Sequence, residues 1–121
     1  MTITPKTSLD PSDISGYVRD ASSTRSGIVA RAGGGQANAT LIAATYNRVL
    51  TVATAGDSVR LPRARPGVEI FIANRGANSL NVFPATGDFI NALAANAAFA
   101  RAAGTMSSFI CVLAGRWEAT A

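Results

Sequence analysis

Histidine is absent from this chain, and cysteine occurs once, at position 111. Without histidine, the usual general base near neutral pH and the commonest metal ligand are both missing. A single cysteine excludes an intramolecular disulfide. Its place in the apolar run Phe109-Ile110-Cys111-Val112-Leu113 reads as a buried core residue rather than a nucleophile. Charge is sparse as well. Charged residues make up 15% of the chain and hydrophobic ones 48%, a balance that suits a globular domain and not a disordered one. No apolar run approaches the length that spans a bilayer, and Met1-Thr2-Ile3-Thr4-Pro5 lacks the charged and apolar blocks of a signal peptide. The expectation is therefore a protein made and folded in a reducing cytoplasm, with no membrane partner.

The net charge is +4, and Lys6 is the only lysine among 11 basic residues. Arginine suits planar, bidentate contacts at interfaces and phosphates. A nucleic-acid binder adds a dense basic run with interleaved aromatics. Here the densest group is Arg60, Arg63 and Arg65, split by Pro62. That spacing is read as a solvated loop or a subunit contact, so no nucleic-acid partner is expected.

With 121 residues the chain holds one domain with a single core. Much of its apolar content is alanine, which adds little burial per residue, and this suggests that further apolar surface is buried between subunits. The segment from Gly67 to Asn91 organises the rest. Val68, Ile70 and Ile72 alternate with Glu69, Phe71 and Ala73, the period of two that a pleated strand requires. Asn74 to Asn78 supplies turn chemistry, Leu80 and Val82 resume the alternation, and Pro84 ends the strand. Gly87-Asp88 makes a second turn before Phe89-Ile90. The reading is two successive hairpins in the middle of an antiparallel sheet.

Three strands are expected before this segment, at Ala39 to Ala43, Tyr46 to Thr54, and Ser58 to Leu61. After it, Ala92 to Ala100 has helical propensity. Asn91, Asn96 and Gly104 punctuate that run, so a loop with a short strand around Phe99 is expected, with a helix as the alternative. Gly104 to Ala114 is a strand apolar on both faces, and Trp117 opens a last short one. The expected core is Ile70, Ile72, Val82, Ile110 and Val112.

Residues 1–34 read as an N-terminal arm and glycine hinge, and residues 35–121 as the β-domain. Asp10 suits a helix N-cap with Pro11 behind it, and Ile14 and Val18 allow one or two turns. The arm offers too few apolar residues to close a core. It is read as ordering against a neighbouring chain, with plain disorder as the alternative. Gly33-Gly34-Gly35 lacks the Lys or Thr directly behind it that a phosphate cradle needs, so it reads as a hinge.

Catalytic chemistry does not assemble. Asp57 and Asp88 each follow a glycine, and their carboxylates are expected to accept backbone amides in turns rather than to work as an acid–base pair. The two Gly-Asp pairs suggest repeated hairpin geometry, not a repeat architecture. Asn38-Ala39-Thr40 is a glycosylation sequon without meaning unless the chain is secreted. No catalytic residue, cofactor or metal ligand is expected, and the chain is not read as an enzyme.

The run Ala55-Gly56-Asp57-Ser58-Val59-Arg60-Leu61-Pro62, then Val82 to Asp88 with Ile90-Asn91, then Ala102-Ala103-Gly104 and Ala114-Gly115-Arg116-Trp117, resembles small virion proteins of tailed bacteriophages. The resemblance covers about Gly35 to Trp117 and consists of turn and strand motifs with no site to carry over. It implies a capsid decoration (cement) subunit that trimerises on the outer head surface, with the major capsid protein as partner. A tail-fibre or head-fibre module for receptor or carbohydrate binding is the alternative. The fold expected with it is all-β, an antiparallel β-sandwich or barrel-like domain with an extended N-terminal arm. The contact residues expected are Ile3, Ile14, Tyr17 and Val18 on the arm and Arg60, Arg63 and Arg65 on the loop.

Overall fold

The computed structural model describes residues 23–33 and 35–120, and every regular element among them is a strand. In chain order these are β1 (Thr24–Val29), β2 (Thr40–Leu41), β3 (Tyr46–Thr51), β4 (Ser58–Arg60), β5 (Glu69–Asn74), β6 (Leu80–Phe83), β7 (Phe89–Ile90), β8 (Phe99–Arg101), β9 (Met106–Leu113) and β10 (Arg116–Ala119). They form a six-stranded sheet, β1-β3-β5-β9-β10-β7, and a four-stranded sheet, β2-β4-β6-β8.

From β1 to β6 the chain winds. Each pass lays one strand on the larger sheet and the next on the smaller, parallel to the strand of the previous pass. The result is a β-solenoid-like stack. Contacts between successive coils show the interval: Gly33 reaches Asp57, Arg60 reaches Gln36, and Ala64 reaches Asp88, each across 24 residues. After β6 the direction changes. β8 adds antiparallel to β6, β9 antiparallel to β5, and β10 folds back on β9 with β7 alongside it. Strands of two to four residues have no independent stability, so stacking against neighbours is what holds them.

The corners of the coil follow from local chemistry. Thr54–Asp57, Arg65–Val68 and Ala85–Asp88 each close with an amide-to-carbonyl bond across the turn. Their third residues, Gly56, Gly67 and Gly87, have φ of 93°, 93° and 87°, the pattern of a type II turn, which demands glycine there. Asp57 completes its corner by accepting the amides of Thr54 and Gly33, and Asp88 by accepting that of Ala64. Both carboxylates serve backbone, as their place after glycine suggested.

One core cluster joins the two sheets. Val49, Ile70, Ile72, Phe109, Cys111 and Trp117 come from the larger sheet, and Val59, Leu80 and Val82 from the smaller. Fully burying one such side chain contributes about 1.5–3 kcal/mol, so these positions carry most of the stability.

Several expectations are corrected. The all-β class holds, but five of the strand pairings are parallel and three antiparallel, so the fold is not an antiparallel one. β5 and β6 are not a hairpin, because they lie in different sheets. The Asn74 side chain holds the connection as an arch: its amide donates to the carbonyls of Asn78 and Arg101, and its oxygen accepts the Gly76 amide. The Gly-Asp pairs are corners of a wound chain, not of hairpins. Ile110 and Val112 are not core: Val112 is 72% exposed and Ile110 36%. The inward set of β9 is Ser107, Phe109 and Cys111, one residue out of phase with that expectation.

Two further differences concern the first coil. Residues 24–29, expected within the arm, are β1 and pair with β3. Gly33 and Gly35 therefore lie between β1 and β2 rather than between an arm and the domain. Between Asn91 and Phe99 the chain is a loop with positive φ at Asn91 and Asn96, which ends any helix, and β8 follows at Phe99 as expected. The expected helix start at Pro11 lies outside the described residues.

Candidate functional site

Alternation along the strands of the larger sheet sends one set of side chains into the core and the other outward. The strand register arranges the outward set in rows. Tyr46, Phe71 and Ser108 form the middle row. Arg48, Ala73 and Met106 form the row on one side. Glu69, Ile110 and Glu118 form the row on the other. Leu50 and Val112 extend the apolar surface beyond these rows, and both are exposed.

The rings of Tyr46 and Phe71 stack with centroids 5.0 Å apart and planes 15° from parallel. They floor a shallow groove of about 280 Å³, bordered by Thr24, Arg25, Arg48 and Met106. Its surface is predominantly apolar, with the two arginines at the rim. Parallel pairing of successive coils produces the stack, since Tyr46 on β3 and Phe71 on β5 are register partners.

Reactive chemistry is not gathered here. No cluster of three or more metal-ligating side chains occurs among the described residues. Cys111 is 1% exposed, and burial pushes its thiol above the ordinary range, with Asp88 and Glu118 acting in the same direction against a hydrogen bond from the Arg116 amide. The buried Asn47 Oδ1 and Ser107 Oγ have no partner among the described residues. Both belong to inward positions flanking Ile72, on separate strands, so they do not converge on a ligand.

The loop arginines have different fates. Arg60 is half-buried and donates to the backbone carbonyls of Gln36 and Ala37, so it ties β4 to the preceding coil. Arg63 and Arg65 are exposed on either side of the buried Ala64. None of the three lines the groove. Ile3, Ile14, Tyr17 and Val18 lie outside the described residues. The outward face itself, with Tyr46, Arg48, Glu69, Phe71, Met106 and Glu118, was not singled out from sequence. Its signal was the outward half of the same alternation that marked the core, hidden because partners in a row are a full coil apart. Set against known protein families, curated proteins and solved structures, the chain matches none.

Proposed function

We propose that this chain is a structural virion subunit that works through its surfaces and not through catalysis: a capsid decoration (cement) protein on the outer head surface of a tailed bacteriophage. In this reading it is made in the host cytoplasm, assembles as a homotrimer and binds the major capsid protein. The observation that carries the reading is the outward face of the larger sheet. Stacked aromatic and exposed apolar side chains lie on a strand framework, while both turn aspartates are committed to backbone. Such a face suits contact with other protein. Many copies on a shell hold by avidity, so each contact need only be weak. The virion setting and the number of copies are supported by the sequence resemblance.

A fibre module that binds receptor glycans is the second reading, and the Tyr46–Phe71 groove favours it, since a flat aromatic pair with arginines at its rim suits a sugar ring. Immunogold electron microscopy with antibodies to this chain, on particles from the phage that encodes it, separates a head subunit from a tail fibre, and blocking of host adsorption by the purified chain marks a fibre at either place. Label over the head is expected. Label confined to the tail would favour the fibre reading, and unlabelled particles would overturn both.

A further inference from the structure

We propose that copies of this chain pack on one another through the outward face of the larger sheet, with Arg48 of one copy set against Glu69 of the next, one strand along the stack. This rests on the homo-oligomer part of the proposed function and is independent of the virion part.

The first support is the apolar character of the face. Tyr46, Leu50, Met106, Ile110 and Val112 all point outward and are substantially exposed, Met106 to 60%. Contiguous apolar surface on a small domain marks a place where another surface sits. A flat sheet face is covered most fully by another sheet face about 10 Å away.

The second support is the distribution of charge, and it names the occupant. The face is basic toward one margin, at Arg48 with Arg25 one position inside it on the edge strand, and acidic along the other, at Glu69 and Glu118. The neutral row of Tyr46, Phe71 and Ser108 lies between them. Along β5 the acidic and basic rows stand four residues apart, about 13 Å at strand rise, too far to pair within one copy. Arg48, Glu69 and Glu118 make no ion pair or side-chain hydrogen bond among the described residues. Arg116, nearest the acidic margin on β10, is turned instead onto the Phe89 ring and the Asn91 carbonyl.

A face that is basic on one margin and acidic on the other is complementary to itself. Copies arranged around an axis parallel to the stacking direction, larger sheets inward, bring the basic margin of each against the acidic margin of the next. The relationship closes for two copies or for three, so it yields a finite ring rather than a filament. A polyanion or an anionic membrane would instead meet two carboxylates on this face. The edge of the sheet is a poorer place for addition, because register shifts around Ile28 and a left-handed Gly27 interrupt β1.

Sedimentation velocity of the full chain at micromolar concentration tests this, with far-UV circular dichroism on each variant. The wild type is expected to sediment as an oligomer. Arg48→Glu, which sets a carboxylate against that of Glu69 at each contact, should raise the dissociation constant at least tenfold and release monomer with an unchanged spectrum. Combining it with Glu69→Arg should restore the oligomer. Met106→Asp provides a second disruption should Arg48→Glu fail to fold. A monomeric wild type would overturn the inference together with the homotrimer. An oligomer untouched by Arg48→Glu and Met106→Asp would overturn the inference alone and leave the proposed function standing. Failure of the charge-reversed double variant to reassociate would overturn the pairing.

Discussion

Gly76 lies against Val52 so closely that a Cβ placed on it would sit 2.6 Å from the Val52 amide nitrogen. The arch after β5 thus presses on the chain leaving β3, where Asn78 also donates to the carbonyls of Val52 and Ala53. Gly76→Ala forces backbone to move and should cost about 1–3 kcal/mol, as overpacking does. For a chain of 121 residues that lowers the melting temperature by about 4 °C for each kcal/mol. Gly35→Ala is the control, since a Cβ there meets nothing within 4 Å. Thermal melts of the two variants should differ clearly, and equal melts would remove the close approach.

The corner aspartates should matter through backbone rather than through reaction. Asp88→Ala strips the acceptor from the buried Ala64 amide, 2.8 Å from the Asp88 Oδ2, and should destabilise by about 1–3 kcal/mol. Urea unfolding measures this, with a lower midpoint at unchanged slope. A midpoint equal to that of the wild type would mean that the carboxylate is not needed at the corner.

Where the strands lie was largely legible; how they pair was not. Alternation at Ile70 and Ile72, the stop at Pro84 and the glycine turns placed most of the ordered chain. Pairing failed because alternation reports which face is buried and says nothing of the neighbour's direction. A five-residue connection between two alternating segments reads as a hairpin loop, yet Asn74 makes it an arch into the other sheet. β1 was missed because Thr24 to Gly27 is polar and exposed, with only Ile28 buried. On β9 the run Phe109 to Leu113 is apolar at every position, so periodicity cannot select the inward set, and the outward Ile110 and Val112 read as core. The same ambiguity hid the outward face, whose apolar members look like core in sequence.

Two aspartate substitutions separate the faces. Ile70 is 5% exposed and Val112 72%. Ile70→Asp buries an unpaired charge, whose cost exceeds the stability of a small domain. Val112→Asp should fold as the wild type does. Circular dichroism and solubility decide it, and a soluble, folded Ile70→Asp protein would contradict the inward assignment of β5.

Burial raises the Cys111 thiol, so the folded state holds its proton more tightly than the unfolded chain. That contribution to stability is fully present below the unfolded thiol's pKa of about 8.5 and is lost as pH rises above it. Unfolding midpoints should therefore fall on the alkaline side in the wild type. Cys111→Ala should remove this part of the slope at a cost in packing. Identical slopes in the two proteins would show that the thiol does not contribute.

The claim that the outward face of the larger sheet is covered by another copy is tested most directly by chemical access to Met106, in the row beside Arg48. Cys111 is buried, so Met106→Cys supplies the one reactive thiol on that face. Maleimide labelling of this variant at micromolar concentration should be slow, and at least tenfold faster once Arg48→Glu is added. Equal labelling rates in the two backgrounds would contradict the account.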